Sequence, residues 1–525
     1  MLLTQNRYSF SREALLVLLL GLAVRLFACQ FTSIINPDGA LYIHQARALY
    51  YRQWDLLTTC SMSFLSIYPL LVSAAYSVFN DWIIAARSVS VFFGTITLIP
   101  VYLLFRRIFD EKISVSGTLV FALMPVFAVT SADVVRGPVY WFFSMLGLLF
   151  FVSRLHSNKF RLYLFLSCLS FLLAASARIE AVLFIALSFF FLLIKHEKRI
   201  QSSVFFLLPC LTVLVLILIG SIFFDRSAGT IFRLNEIPGK LSGPFIEHIN
   251  LRASLKDLSN QQYTDTLRFF LHKARNLTWL IAAGTLFVHV IKVFFYPFFL
   301  IFLAGLWKIS SKIKEIQPVS YLLIMSAGAL LVLYLHILQT WIMSQRFLVL
   351  FVLPAFIVVG FGLENITRFL KTRFSMKPNA AVSLICLLIL VFGLSKDLKP
   401  READKLVFRE IGEFIAGQEG NSREINIASS LHTIRWISFY ANLNYAGAPC
   451  PQPYGSFLKM TGASYESFLR NLRSSNIEYF LWEEKHWPDQ RFNFMEQKKK
   501  GDFIELGNWS HPDTGRMILF RTAGS

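Results

Sequence analysis

Residues 36–52 read NPDGALYIHQARALYYR and follow directly on the first long apolar run of the chain. The stretch places one carboxylate, Asp38, where the chain leaves the membrane. Asn36 and Pro37 are typical of a helix start, and the helix dipole favours an acidic residue in the first turn. Asp38 is therefore either a helix-start residue or a catalytic carboxylate. The two interpretations are compatible, since a capped helix start is a rigid mount for a general base.

The composition of the chain indicates a membrane protein. Of the 525 residues, 55% are hydrophobic, and the mean hydropathy is +0.54. Several apolar runs reach the roughly 20 residues that one bilayer crossing requires. The formal net charge of +19 lies largely in short loops between these runs, which is typical of topology-setting charge and not of nucleic-acid binding. The predicted fold class is mainly α, a polytopic transmembrane helical bundle.

About 11 spans are predicted from runs of the length that a bilayer requires. They lie near residues 13–33, 82–105, 113–131, 138–153, 160–177, 180–195, 203–224, 281–307, 319–340, 347–363 and 380–395. The strongly basic loops all fall on one side: RRIFDEK, RLHSNKFR, KHEKR, KISSKIK and RFLKTRFSMK. The positive-inside rule makes that side cytoplasmic, together with the N-terminus. The predicted location is the cell inner (plasma) membrane, with the C-terminal segment outside.

Two long outer loops and the C-terminal segment carry predicted structure of their own. Within the loop 34–81, residues 39–53 have helical spacing and predict an amphipathic helix lying at the membrane interface. The apolar run 62–79 predicts a re-entrant or interfacial helix, because a further span would invert every later loop. The loop 225–280 is basic and too long for a simple connector, and it could cover an anionic lipid head group or merely contact anionic lipid surfaces.

The segment 399–525 is polar and predicts a small extracytoplasmic α/β domain, following a transmembrane domain over residues 1–398. Its candidate helices are 402–417 and 464–474, and its candidate strands are EINIAS, IEYFLW, DFIELG and MILFR. Of the six Cys, Cys60 and Cys450 could face the same outer compartment, but the sequence cannot pair them.

Charged residues at the outer ends of the spans are further candidates. Asp133 and Arg136 share an outer turn, where they could pair on one helix face or act as a second acid and a phosphate ligand. Arg178 and Glu180 could form a salt bridge between spans or belong to a site. Arg346 could snorkel to the interface instead.

Common nucleotide, hydrolase and metalloprotease motifs do not stand out in the chain. Phosphate binding would therefore depend on Arg and Lys side chains and not on a glycine-rich loop. Neither a cofactor nor a metal is expected.

The stretch PDGALYIHQARAL, an outer Asp followed by Tyr and a helix, resembles the GT-C glycosyltransferases. The resemblance is to bacterial members of family 39, relatives of the protein O-mannosyltransferases and of the aminoarabinose transferase of lipid A. It extends over roughly residues 10–365. Further similar segments are YPLLVSAAYSVFNDWIIAARSVSVFFGTITLIPVYLLFRRIFD, ALMP, SADVVRGP, ARIEA and QRFLVLFVLPAFIVVGFGLE.

This resemblance implies an inverting transfer of a sugar from a polyprenyl-phosphate donor to an extracytoplasmic glycan, lipid or protein. Asp38 matches the general base and Asp133 the acid of the second outer loop, whereas Gly137 stands where many members have another acidic residue. Arg136, Arg178 and Arg346 are the expected donor-phosphate ligands. Supporting roles are expected for Tyr42, His44, Arg47 and Glu180. The alternatives are a transporter or flippase, or a non-catalytic partner in envelope polysaccharide assembly, although no internal repeat supports transport.

Overall fold

The computed structural model describes residues 11–154, 159–195, 199–223, 236–261, 264–307, 309–420, 422–488, 491–499 and 501–523. Parts of two predicted basic loops, 155–158 and 196–198, and the first part of the predicted loop 225–280 lie outside the described residues. The chain forms two compact units. The first comprises Met1–Phe27, Val91–Ser131 and Arg136–Leu398, and the second comprises Ala28–Ser90, Ala132–Val135 and Lys399–Ser525.

The first unit is a bundle of apolar helices. Over the described residues, six helices are long and apolar enough to cross a membrane, or eight if each of two bent pairs forms one span. The predicted helical fold class is confirmed, and the number of about 11 spans stays a prediction. The helices with most of their length in this unit are Arg12–Gln30, Leu98–Arg106, Glu111–Ala122, Pro125–Ala128, Gly137–Ser153, Phe160–Ala177, Val182–Lys195, Arg199–Phe223, Glu236–Ser259, Asp265–Phe294, Tyr296–Leu306, Ile309–Glu315, Gln317–Thr340, Gln345–Ala355, Ile357–Phe374 and Pro378–Asp397.

Proline explains both bent pairs. Helices Glu111–Ala122 and Pro125–Ala132 meet at 60°, and the intervening Met124 is extended (ψ 119°) because the following Pro125 disfavours helical backbone. Helices Gln345–Ala355 and Ile357–Phe374 meet at 62°. Pro354 lies at that second bend, where it removes a backbone donor from the helix.

Two glycines permit a close helix contact in the bundle. A Cβ atom at Gly305 would collide with the carbonyl oxygen of Val358, and one at Gly362 would collide with that of Ile301. The two helices that carry these glycines therefore pack backbone against backbone. Such small-residue contacts are typical of membrane bundles, where no water drives the helices together.

The second unit contains a four-stranded sheet in the order β1-β2-β4-β3. Its strands are β1 Ile427–Ala428, β2 Tyr479–Glu483, β3 Phe503–His511 and β4 Gly515–Thr522. Strand β1 is parallel to β2, and the other two pairings are antiparallel. Its α-helices are Pro37–Tyr50, Ile67–Phe79, Leu406–Glu419, Ile434–Ala441, Phe457–Thr461, Tyr465–Ser474 and Phe494–Gln497, and helix Trp82–Ile96 runs from this unit into the first. All four predicted strands and both predicted C-terminal helices are therefore present, together with three helices that were not predicted: Ile434–Ala441, Phe457–Thr461 and Phe494–Gln497.

An aromatic cluster forms the core beside this sheet. The rings of Phe468, Phe480 and Phe494 are fully buried. The centroid of Phe480 lies 5.0 Å from that of Phe468 and 5.1 Å from that of Phe494, with the rings edge to face. This geometry matches the quadrupole of each ring to its neighbour and adds to the apolar burial.

The packing of the segment 34–81, predicted as an outer loop, differs from the expected interfacial arrangement. Every residue from Gly39 to Ala48 in helix Pro37–Tyr50 is buried, so the helix is enclosed by protein on all sides and does not lie on the membrane surface through one apolar face. Helix Ile67–Phe79 has only 13 residues, which is too short for one bilayer crossing. The prediction that residues 62–79 do not add a span is consistent with that length.

Candidate active site

Asp38 lies in the first turn of helix Pro37–Tyr50, called here the Asp38 helix. The Asn36 side chain accepts a hydrogen bond from the backbone N–H of Asp38 (3.0 Å) and so caps the helix, with Pro37 as its first residue. The predicted helix start is confirmed. The Asp38 side chain is 42% exposed, so a carboxylate accessible to small molecules stands on a buried, capped helix.

Asp133 contacts the start of the Asp38 helix from a second segment. The point at which residues 35–39 meet residues 133–134 is called the corner. Its Oδ1 accepts hydrogen bonds from the backbone N–H of Asn36 (3.0 Å) and from that of Val134 (2.7 Å). A Cβ atom at Gly39 would lie within 2.9 Å of the carbonyl oxygen of Val134. The segment carrying Asp133 therefore packs against the first turn of the Asp38 helix, and the structure brings both predicted acidic residues to one corner.

Arg435 is a residue of this corner that sequence reasoning missed. It belongs to helix Ile434–Ala441, called here the Arg435 helix, and its Nη1 donates to Oδ1 of Asp38 at 3.0 Å. Its Nε donates to Oε1 of Gln452 at 2.9 Å. The amphipathic spacing of IRWISFYA could have revealed the helix, but no local signal links this arginine to an aspartate 397 positions earlier.

The Arg435 helix is also bonded to the backbone just before Asp38. Trp436 Nε1 donates to the carbonyl oxygen of Ile35 (2.7 Å), and the N–H of Ile35 donates to the hydroxyl of Tyr440 (3.2 Å). Both backbone polar groups of Ile35 thus have partners on one helix. Further back, Arg401 exchanges backbone hydrogen bonds with Phe31 (3.0 Å) and Ser33 (3.3 Å).

The three supporting candidates on the Asp38 helix are buried. The Tyr42 ring packs edge to face on Tyr68, with centroids 5.7 Å apart. His44 lies between two carbonyl oxygens, with Nδ1 3.0 Å from that of Pro449 and Nε2 3.2 Å from that of Leu56. Burial lowers the pKa of His44 below its usual range, so the ring is held in its neutral form at neutral pH.

Arg47 holds a loop of the C-terminal segment through its guanidinium group. That group donates to the carbonyl oxygens of Gly447 (2.5 Å), Asn442 (3.0 Å), Leu443 (3.4 Å) and Tyr445. Burial lowers the pKa of Arg47 to about 10, and the side chain remains charged at neutral pH. These contacts of Tyr42, His44 and Arg47 tie the Asp38 helix to Tyr68, to Leu56 and to residues 442–449.

A disulfide joins the segment 34–81 to the C-terminal segment. Cys60 and Cys450 are bonded, with their Cα atoms 5.5 Å apart and 390 positions between them in the chain. Beside the disulfide, the N–H of Ala448 donates to Oε1 of Gln53 at 3.0 Å. The pairing that the sequence left open is therefore made in the structure.

The remaining candidates belong to the first unit. Arg178 Nε lies 3.6 Å from Oε2 of Glu180, and its Nη1 donates to the backbone carbonyl of Arg346 at 2.8 Å. The charges of Lys240 and Arg136 also act on Glu180. The cluster thus combines three cations with one carboxylate, and its Lys240 belongs to the segment 225–280. Its net positive charge suits a phosphate group.

Two apolar cavities lie in the same unit. One of about 480 Å³ is bounded by helices that include Phe287, Phe299, Phe302 and Phe351. The other, of about 440 Å³, is lined by residues that include Tyr296 and Phe392. Over the described residues, no group of three or more His, Cys, Asp or Glu side chains is arranged to hold a metal ion.

Comparison with known proteins agrees with this architecture. Residues 67–222 match the family model for dolichyl-phosphate-mannose-protein mannosyltransferases. No curated protein sequence matches the chain at a significant level.

Solved structures of GT-C glycosyltransferases share the fold over nearly the whole chain. ArnT from Cupriavidus metallidurans in the apo state superposes with a TM-score of 0.58 and 13% identity, over 96% of this chain and 97% of ArnT. The same protein bound to undecaprenyl phosphate gives 0.58 and 11%, over 97% and 98%. The oligosaccharyltransferase AglB from Archaeoglobus fulgidus, in complex with an inhibitory peptide and a dolichol-phosphate, gives 0.53 and 11%, over 96% and 74%.

The expected resemblance to the GT-C superfamily is confirmed at the level of the fold. Together with the apolar helices, it identifies the chain as a multi-pass membrane protein with the GT-C architecture.

Proposed function

We propose that the chain is an integral-membrane glycosyltransferase that moves a sugar from a polyprenyl-phosphate donor to an extracytoplasmic acceptor with inversion. One observation carries this proposal. An accessible carboxylate, Asp38, stands at a rigid corner directly after the first membrane helix of a GT-C fold.

Asp38 acts as the general base in this reaction. The acceptor hydroxyl attacks the anomeric carbon on the face opposite the phosphate, and its proton passes to the Asp38 carboxylate. The bond between the anomeric carbon and the phosphate oxygen breaks, and the polyprenyl phosphate leaves with the electron pair. A positioned carboxylate of this kind contributes a rate factor of roughly 100 to 10,000.

The leaving phosphate needs positive charge and no proton. We assign this task to Arg178, Arg136 and Lys240, whose charges meet around Glu180 in the first unit. Cations aimed at the leaving phosphate stabilise the negative charge that develops on it in the transition state. Arg346 remains a candidate, although its contact with Arg178 is made by its backbone carbonyl.

Two observations support a lipid-linked donor and an outer location. The similar ArnT structure contains undecaprenyl phosphate and the AglB structure a dolichol-phosphate, and the apolar cavities of this chain offer room for part of a prenyl chain.

Disulfides persist in oxidising compartments, so the Cys60–Cys450 bond supports a location of the corner outside the cytoplasm. The basic loops agree with that orientation.

The test is a deletion strain complemented with Asp38→Asn, with Asp55→Asn as the control. Asp55 is an exposed carboxylate of the same outer loop. The deletion should cause one prenyl-phosphate sugar to accumulate, measured by mass spectrometry of lipid extracts. The wild-type chain and Asp55→Asn should clear it, whereas Asp38→Asn should insert normally and leave it at the deletion level. Clearance by Asp38→Asn at the wild-type rate would refute the role of Asp38 as a base.

A further inference from the structure

We propose that Arg435 is a positioning residue for Asp38, and that Gln452 and the Cys60–Cys450 disulfide hold it in place. The inference rests on the proposed role of Asp38 as general base. It assigns the C-terminal segment a direct part in the reaction, because that segment supplies the side chain that orients the carboxylate.

The first argument is the geometry of the contact. Arg435 Nη1 donates to Oδ1 of Asp38 at 3.0 Å, so the carboxylate is tied at a defined atom. The helix that carries Arg435 also bonds both backbone groups of Ile35. One element therefore fixes the side chain of Asp38 and the backbone three residues before it.

The second argument is that Gln452 holds the Arg435 side chain, and that the segment carrying Gln452 is bonded to the Arg435 helix. Its Nε donates to Gln452, which is 8% exposed and lies two residues after the disulfide-bonded Cys450. One turn further along the Arg435 helix, the Ser438 hydroxyl donates to the carbonyl oxygen of Cys450 at 3.4 Å. The disulfide thus anchors the short segment that orients the guanidinium group.

The start of the Arg435 helix is anchored to the sheet as well. Glu483, at the end of β2, is 2% exposed and accepts hydrogen bonds from the hydroxyls of Ser429 (2.6 Å), Ser430 (2.8 Å) and Thr433. These residues lie between β1 and the helix. Charge-assisted hydrogen bonds to a buried carboxylate are among the stronger ones in proteins, so the arginine projects from a rigid mount.

The third argument is that the ion pair is poorly placed to serve stability. Asp38 and Arg435 side chains are 42% and 26% exposed, and exposed pairs contribute little to folding because water and salt screen them. Orientation of a reacting group, in contrast, is sensitive to small displacements. A misplacement of about 1 Å can cost a factor of about 100 in rate.

The kinetic experiment compares Arg435→Met and Arg435→Lys in the purified full-length chain. The donor is the lipid-linked sugar fraction extracted from the deletion strain. Arg435→Met should lower kcat by about 10- to 100-fold while the KM for the donor stays within about threefold, because positioning acts on the transition state. Arg435→Lys should restore kcat to within about fivefold of the wild type, since an ammonium group keeps the charge but not the fork that also binds Gln452.

The matched control is Arg473→Met, which removes a 68% exposed arginine 4.0 Å from Asp502 in the same unit. It should leave both constants unchanged. Unchanged kcat in Arg435→Met, or equal losses in the Met and Lys variants with a matching fall in thermal stability, would overturn the proposal.

A second readout needs no substrate. A water-soluble carbodiimide with an amine nucleophile should label Asp38 several times faster in Arg435→Met than in the wild type or in Arg473→Met. Asp513, which is 77% exposed, serves as the internal reference for peptide mass spectrometry. Equal labelling of Asp38 in all three proteins would overturn the contact itself. Activity in Asp38→Asn would instead refute the proposed function, so the two failures are distinguishable.

Discussion

At the scale of single residues, the corner around Asp38 is built from backbone hydrogen bonds to charged or amide oxygens. The N–H of Asn36 donates to Asp133, and the N–H of Asp38 donates to Asn36. Asp133 therefore acts on Asp38 through the intervening Asn36. Its observed contacts make it a positioning residue, and its role in catalysis stays a prediction.

Two substitutions of Asp133 distinguish a positioning role, which needs only a hydrogen-bond acceptor, from a catalytic role, which needs the negative charge. Asp133→Asn retains an Oδ1 acceptor for both N–H groups and should keep transfer within about tenfold of the wild type, since a hydrogen bond to a neutral acceptor is weaker but still formed. Asp133→Ala should lose about 10- to 100-fold, because it frees the corner to move. Initial transfer rates measure both. An Asn variant as inactive as the Ala variant would show that the negative charge itself is needed.

Sequence reasoning selected Asp38 and Asp133 because each is an acid at the outer end of an apolar run. It also assigned Asn36 and Pro37 correctly to a helix start, since capping depends on neighbouring residues alone. Local sequence patterns could not identify Arg435 as a residue of the corner. Its role depends on the folding of a distant segment, and an arginine on a short amphipathic helix carries no local sign of its partner.

At the scale of elements, the sequence pattern predicted the Asp38 helix correctly but did not predict how the helix is packed. Its polar positions predicted a face toward water or lipid head groups. Instead, His44 and Arg47 meet carbonyl oxygens of residues 442–449 and become fully enclosed. A helix whose buried polar side chains are hydrogen-bonded in this way is a stiff support for the carboxylate at its start.

The buried His44 gives this helix a pH dependence. The pKa of His44 in the folded protein lies below its unfolded value of about 6.5. Above that value the ring is neutral in both states and stability is unaffected. As the pH falls below about 6.5, the unfolded chain binds the proton first, so stability is lost progressively.

We therefore expect the thermal unfolding temperature of the purified protein to fall between pH 7.5 and pH 5. The fall should be smaller in His44→Gln, which cannot titrate. Scanning fluorimetry at several pH values measures both slopes. Equal slopes in the two proteins would mean that the acid sensitivity arises elsewhere.

At the scale of the whole molecule, the second compact unit joins residues from both ends of the chain. Residues 28–90 pack with residues 399–525, and the disulfide is their covalent link. The α/β character of the C-terminal segment was predictable, because each strand alternates or runs apolar between turn residues. Its partnership with the first outer loop was not, since only the folded chain brings Cys60 to Cys450.

Removal of this link should destabilise the second unit. A disulfide that closes so long a loop contributes about 2–5 kcal/mol, so Cys60→Ser with Cys450→Ser should unfold at lower temperature and be cut earlier by protease within residues 399–525. Dithiothreitol should have the same effect on the wild type and none on the double variant. The four free cysteines, Cys29, Cys168, Cys210 and Cys386, remain in both proteins and serve as the internal control. An effect of dithiothreitol on the double variant would contradict this assignment.

The distance in sequence between Asp38 and Arg435 also determines when the corner can exist. During translation Asp38 leaves the ribosome well before Arg435 and Cys450, which follow about 400 residues later. The helices between residues 98 and 397 are therefore synthesised before the corner can close. A product truncated before residue 435 therefore carries Asp38 without Arg435, and the ion pair of the corner cannot form in it.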